Sequence, residues 1–346
     1  MERVIQIPLF PLSLLYRIIV QTRCLFYKRN VLQLKQLPCR VISVGNISLG
    51  GSGKTPTTHY IAQLLHDQGF QVAVLSRGYK GKARNKINLV SNGHEIFLNP
   101  RDSGDEPYML ATKLNGVPVL TSKDRFKTGK YAIEHFGSSI LILDDGFQHI
   151  QLKRDLDILL LDSQVMAGNT YLFPRGILRE PLKNMKRADL FLVTRSKDPR
   201  QNRELETTIK EIKEDAMIFY GNFQPKCLIN PFGETIGLNS LKDKRVLAFS
   251  GIAHPEYFTA SLNELGATVV QELAFTDHHW YSHKDYEKIR RISREVDITV
   301  TTEKDMVKID NSFLRDVKVC ALRIKLFINR EEAFRQFLLE RVRNRK

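Results

Sequence analysis

The sequence predicts an α/β protein in two lobes, on three observations. A short β-branched apolar run, 41–44, enters a glycine-rich loop that ends in Gly53, Lys54 and Thr55 and opens a helical pattern. Apolar runs of strand length recur at 72–75, 117–120, 140–143, 157–161 and 189–193 with helical patterns between them. This is the rhythm of a mainly parallel sheet with crossover helices. After a charged, helical stretch at 196–215 and a small hairpin or linker around 217–230, a second alternation starts at 246–251. With 346 residues, 42% of them hydrophobic, the chain can fill two such cores.

The first element is an apolar N-terminal stretch, 4–27. Its longest uncharged run, 4–16, contains Pro8 and Pro11 and stops at Arg17, short of the ~20 apolar residues a spanning helix needs. No small-residue cleavage site follows before Arg23, Lys28 and Arg29, so a signal peptide is not expected. From Leu12 the spacing suits an amphipathic helix, with Leu12, Leu15, Tyr16, Ile19 and Phe26 on one side and Arg17, Gln21 and Lys28 on another. Two placements fit: a first helix packed on the domain, or an interfacial helix on anionic lipid.

The second element is the loop itself. Glycines let backbone N–H groups converge on phosphate oxygens, and the helix N-terminus adds its positive dipole end. Ser48, Gly50, Gly51, Ser52 and Gly53 would form the cradle, Lys54 would reach the β- and γ-phosphates, and the Thr55 hydroxyl would bind Mg²⁺. Ser48 stands where the strict pattern has glycine.

The strands that follow carry polar clusters at their carboxyl ends, where ligands of parallel sheets bind: 76–79, 121–125 and 144–146. Asp144 and Asp145 end an apolar strand 90 residues after Lys54, where an acidic residue holds Mg²⁺ in phosphate-loop enzymes. Adjacent strand residues point to opposite faces, so one of the two should face the loop, with Asp145 preferred for the metal. The turn at 102–107 leads into a helix, and its carboxylate Asp105 either caps that helix or accepts a proton from a hydroxyl.

In the second lobe, further runs stand at 268–270, 298–300 and 317–322, and a charged helix starts near Arg330. His278 and His279 are adjacent, and one of them could orient a carboxylate across a cleft between the lobes. At 301–305, Thr302 and Asp305 read either as a loose capping box or as a functional cluster at a strand end.

The net charge of +15 (53 Lys+Arg against 38 Asp+Glu) favours a polyanionic partner: nucleic acid, anionic membrane or a phosphorylated ligand. No RNA-binding motif interleaves aromatics with the basic residues, so nucleic acid is not expected. Cys24, Cys39, Cys227 and Cys320 are scattered without CxxC spacing, as reduced thiols of a cytoplasmic protein would be. A membrane-surface ATPase of the partitioning class would also use such a loop, but usually with a lysine where Leu49 stands.

Taken together, 44–56, 76–79, 103–107, 144–149, 174–181, 275–278 and 302–305 resemble, in this order, the tetraacyldisaccharide 4′-kinases, which phosphorylate the lipid A precursor of Gram-negative bacteria. That family's loop usually starts with a small hydroxylated residue, as Ser48 does here. The resemblance implies a P-loop NTPase-like α/β/α sandwich with a second, smaller α/β/α lobe. The implied division is a membrane-associating segment (1–30), a kinase domain (31–215), a β linker (216–239) and a C-terminal α/β domain (240–346). It further implies that Asp105 is the catalytic carboxylate with His278 as its partner, and that Lys54, Thr55, Asp144 and Asp145 form the ATP–Mg²⁺ site. Arg77, Arg125, Gln148, His149 and Arg179 match positions near the phosphates or the sugar. The implied substrate is an acylated disaccharide phosphate. The implied location is peripheral, on the anionic cytoplasmic face of the inner membrane.

Overall fold

A computed structural model describes residues 9–168, 170–196 and 202–344. The start of the apolar N-terminal run (4–8) and part of the charged stretch (197–201) lie outside the described residues. The chain begins with helix α1 (Phe10–Lys28), then β1 (Arg40–Asn46), α2 (Lys54–Asp67), β2 (Val72–Ser76), β3 (Asn88–Ser91), α3 (Asp105–Lys113), β4 (Val119–Thr121), α4 (Arg125–Phe136), β5 (Ile140–Asp144), β6 (Leu156–Asp162) and β7 (Leu190–Thr194). It continues through α5 (Arg203–Ile212), β8 (Met217–Ile229), β9 (Thr235–Ile236), β10 (Arg245–Ser250), α6 (Pro255–Glu264), β11 (Thr268–Ala274), α7 (His283–Ser293), β12 (Ile298–Thr302), β13 (Val319–Ile328) and α8 (Glu331–Arg343).

The strands join in one hydrogen-bonded sheet, ordered β11-β10-β12-β13-β8-β7-β6-β1-β5-β2-β4-β3, with β9 beside β8. Two parallel arrays make up this sheet. The larger runs from β8 to β4, with β3 antiparallel at its edge. The smaller runs from β11 to β13. They meet where β13 pairs antiparallel with β8 along most of both strands. The segment expected as a hairpin or linker is thus a 13-residue strand. It pairs with β7 through its first half and with β9 only at its far end.

Period-two alternation explains the layers. Along β5, Ile140 and Ile142 join the core under α2 and α3, while Leu141 and Leu143 join the opposite core, with Ala132 of α4. Along β10, Val246 and Ala248 pack with Phe258 and Leu262 of α6, while Leu247 and Phe249 pack with Tyr286 and Ile289 of α7. Each array is therefore covered on both faces, as buried parallel sheets must be. Helix α8 follows the smaller array in sequence, yet Phe334, Leu338 and Val342 pack with Ile42 and Val44 of β1. Burying each such side chain contributes about 1.5–3 kcal/mol.

Helix α1 sits on the larger array by a narrow, largely polar stripe. Ser13 Oγ donates to the Leu172 carbonyl (2.9 Å), Tyr16 Oη donates to the Arg179 carbonyl (2.9 Å), and Cys24 lies beside Glu180. Tyr16 thus belongs to the attached face, away from Leu12, Leu15, Ile19 and Phe26, all of which are exposed along with Leu14 and Ile18. The expected amphipathy is present with its apolar side turned to solvent. Among the described residues no helix is long and apolar enough to cross a membrane.

Candidate active site

β1 delivers Gly45 and Asn46 at its carboxyl end, and the chain turns through 47–53 into α2. Gly53 takes φ +84°, and a Cβ there would lie 2.0 Å from Cζ of Phe223, so the ring lies over the loop and only glycine fits. The loop is braced from several sides. Arg195 Nη2 donates to the Gly51 carbonyl (2.9 Å), Thr194 Oγ1 donates to the Ser52 carbonyl (3.1 Å), and Arg195 also pairs with Asp162. Ser48 bridges to Leu178, and the Leu49 N–H donates to the Ile177 carbonyl (2.7 Å), which stitches the 174–181 segment to the loop.

Lys54 opens α2, its Nζ donating to Asn46 Oδ1 (3.3 Å) and lying 3.7 Å from Asp145. Thr55 is buried beside it. Strand β5 ends at Asp144. Asp145 has left the strand, at φ +53°, so the alternation rule does not separate the two carboxylates, and both face the loop. Asp144 is buried and accepts from Thr58 Oγ1 (3.0 Å) and Ser76 Oγ (3.3 Å). Burial, then the charges of Glu106 and Asp145, pushes its carboxyl up to about 7. Asp145 accepts from Arg179 Nη1 at 3.0 Å through both oxygens. Burial alone would raise its carboxyl, but Lys54 and Arg179 outweigh that and hold it below the ordinary value.

These groups suit a hard divalent cation. Among the described residues no three His, Cys, Asp or Glu side chains converge as a cage, but Mg²⁺ commonly takes one or two carboxylates plus phosphate oxygens. Among the described residues Asp144 accepts hydrogen bonds only from hydroxyls, and the Lys54 charge offsets only part of the cost of its burial.

The other expected anion- or sugar-facing side chains gather at the same strand ends. Gln148 Nε2 donates to the Asn46 carbonyl (2.8 Å), and its Oε1 accepts from Arg179 (3.3 Å). Arg125 is buried, with no partner for its Nε among the described residues, and burial followed by the charge of nearby Arg77 lowers its guanidinium to about 10. Burial, then Arg125, lowers His149 to about 4, so its imidazole is neutral at pH 7. Arg77 itself is exposed at the cleft.

Across the cleft stands the second cluster. Gly104 has φ +92° and ψ 152°, and a Cβ there would lie 2.7 Å from the Tyr79 carbonyl. This glycine-only turn starts α3 at Asp105, which is 4% exposed. His278, at φ +60°, reaches over from the smaller array to place Nδ1 2.8 Å from both Asp105 oxygens. His279 instead meets Asp285 (3.0 Å). Burial is the largest influence on the Asp105 carboxyl and raises it. The His278 hydrogen bond together with the Lys304 and Lys308 charges outweighs burial and holds the group ionised, below its ordinary value. From sequence, Lys304 stands only as one member of the 301–305 cluster, with no role of its own, and Lys308 is not singled out. At 301–305 the capping contact is present, Thr302 Oγ1 accepting from the Asp305 N–H (3.2 Å), and Lys304 Nζ lies 3.2 Å from His278 Nε2. The loop, Asp144, Asp145, Asp277 and His278 line one cleft of about 1420 Å³.

A family model described as tetraacyldisaccharide-1-P 4′-kinase matches residues 5–343. A tetraacyldisaccharide 4′-kinase of Syntrophus aciditrophicus is 42% identical over 343 residues, covering 96% of this chain and 92% of its own length. One of Desulfotalea psychrophila is 41% identical over 92% of each chain. Among solved structures, the "apo" form of LpxK from Aquifex aeolicus in complex with ATP aligns with TM-score 0.79 and 36% identity, over 98% of this chain and 99% of that one.

Proposed function

The chain belongs to the tetraacyldisaccharide-1-P 4′-kinase family, and from that premise we propose how its cleft performs the transfer. The protein is a kinase that phosphorylates the 4′-hydroxyl of the tetraacyldisaccharide 1-phosphate precursor of lipid A. ATP is the phosphoryl donor, as the ATP complex of the Aquifex relative supports.

In our reading, Ser48 and Gly50 to Gly53 supply backbone N–H groups to the β- and γ-phosphates, and Lys54 supplies a cation there. Thr55, Asp144 and Asp145 would hold Mg²⁺, which supplies charge neutralisation on the transferring phosphoryl group. Asp105 accepts the proton of the 4′-hydroxyl as that oxygen bonds to the γ-phosphorus and the bond to the bridging oxygen of ADP breaks. Asp105 suits the role because it is buried, held below its ordinary value and hydrogen-bonded to His278, which lines the cleft that Lys54 shares. That observation carries the assignment. Arg77, Arg125, Gln148, His149 and Arg179 line the rest of the cleft, placed to meet phosphate or sugar oxygens.

We also infer that the protein docks peripherally on an anionic membrane at the cytoplasmic face of the inner membrane, with no nucleic-acid partner. Support comes from the exposed apolar side of α1, its basic residues Arg17, Arg23 and Lys28, and a substrate that carries four acyl chains. Each basic residue near such a surface adds about 1 kcal/mol. The assay is transfer of labelled γ-phosphate to tetraacyldisaccharide 1-phosphate in detergent micelles. Wild type should label the lipid, and Asp105→Asn should bind nucleotide yet fail to transfer. Turnover near normal in that variant removes Asp105 from the base role, and label appearing only as free phosphate favours a membrane-surface ATPase.

A further inference from the structure

We propose that Lys304 is a positioning residue for the transfer: its ammonium, donating to Nε2 of His278, fixes the ring with its proton on Nδ1, aimed at Asp105. The inference rests on the reading of Asp105 as proton acceptor. Lys304 Nζ has three acceptors within reach, Glu106 Oε1 at 3.1 Å, Asp277 Oδ1 at 3.1 Å and His278 Nε2 at 3.2 Å. An ammonium has three N–H donors and no lone pair. Nε2 must therefore be the acceptor, and the ring proton must sit on Nδ1, 2.8 Å from the Asp105 carboxylate. Burial works against the charge on Lys304, but the Glu106, Asp105 and Asp277 carboxylates outweigh it and raise the group above its ordinary value.

The surroundings show what that ammonium prevents. Asp105 faces the ring from α3, with Lys308 Nζ 3.7 Å behind it. Asp277 lies 3.7 Å from Nε2 on the ring's own loop, Glu106 faces it through Lys304, and Lys80 donates to the Asp277 carbonyl. The Tyr79 ring meets it edge-on. Three carboxylates thus surround the imidazole, and of these cations only Lys304 touches the ring. Without it, Nε2 would take a proton. The resulting imidazolium would lock onto Asp105 and hinder that carboxylate from receiving the sugar proton.

The chain fixes Lys304 firmly. Thr302 caps the turn Glu303–Met306, and Asp305 accepts from the Gly251 N–H (3.0 Å) and pairs with Lys308 (2.9 Å). The ammonium also fastens Glu106 of the larger array to Asp277 of the smaller.

The test uses the full chain in micelles, with Lys304→Met and Lys304→Arg. A unit charge about 3 Å away moves a titration by about one pH unit even at the dielectric constant of water. Lys304→Met should move the acid limb of the kcat/KM profile upward by about one unit, so the loss at pH 6 exceeds that at pH 8.5. Lys304→Arg should restore the limb's position. Nitrogen-15 spectra of labelled histidines should show His278 of the wild type with Nδ1 protonated and Nε2 bare at neutral pH, and Nε2 protonated at pH 6 in Lys304→Met. An equal loss at every pH in Lys304→Met, or a wild-type His278 protonated on Nε2, overturns the proposal. The spectra do not depend on turnover, so they stand apart from the Asp105→Asn assay that tests the base itself.

Discussion

Replacing Asp144 with asparagine should make the nucleotide-free protein more stable while disabling it. The folded carboxyl sits at about 7 against 3.8 for an ordinary aspartate. Below pH 3.8 both folded and unfolded forms are protonated, and the isosteric amide differs little from the acid. Between pH 4 and 7 the unfolded carboxyl ionises while the folded one holds its proton, so the wild type loses stability with rising pH. The loss is complete above pH 7. Three units at 1.36 kcal/mol each give about 4 kcal/mol as the ceiling. Asparagine keeps an acceptor for Thr58 Oγ1, and the Ser76 hydroxyl can rotate to accept from the new amide. Imperfect geometry there costs about 1 kcal/mol, leaving a gain of at most about 3 kcal/mol at pH 8. Chemical denaturation of both proteins at pH 5 and pH 8, without nucleotide, measures it. The gap should widen between the two pH values, and Mg²⁺ with ATP should stabilise the wild type far more than the variant. A variant less stable than wild type at pH 8, or a gap independent of pH, would refute the claim that burial of the Asp144 charge outweighs its partners.

Gly104→Ala forces a methyl to within 2.7 Å of the Tyr79 carbonyl at a backbone angle alanine avoids. It should cost about 1–3 kcal/mol of stability and displace Asp105. Thermal unfolding should show the first effect, and a fall in kcat with little change in ATP KM the second; an unchanged kcat would mean α3 absorbs the shift. In α1, Leu15→Glu with Ile19→Glu removes two exposed apolar side chains worth about 1.5–3 kcal/mol each when buried in lipid. Binding to phosphatidylglycerol vesicles should fall at least tenfold with thermal stability unchanged. Undiminished vesicle binding would take the docking role away from this face.

Local chemistry was legible in the sequence. Apolar runs found the strands of both arrays, because a parallel sheet buried on two faces leaves continuous hydrophobic stretches. Edge strand β3, with only Leu89 and Val90 apolar, gave no such run. β8 was not read as one strand because Pro225 sits inside it, where the pairing with β13 shifts register and tolerates the missing N–H. The choice between α1 placements also lay beyond periodicity, which finds an apolar face but not the direction it looks. The Asp105–His278 contact spans 173 residues, and no local spacing carries it; the family resemblance supplied that pairing. Lys304 had no role of its own within the 302–305 motif because a lysine after a strand reads as a solvated charge until the fold brings three acceptors around it.

The return of the chain along β13 sets an order of events during synthesis. The nucleotide loop and the β1–β7 strands leave the ribosome in the first 194 residues, yet the core beneath β1 is closed by Leu326, Ile328 and the inner side of α8. Tyr60 of the loop's own helix waits for Glu331, and Arg40 at the foot of β1 waits for the Val342 carbonyl. A nascent chain that carries a finished phosphate loop still lacks the floor on which it rests.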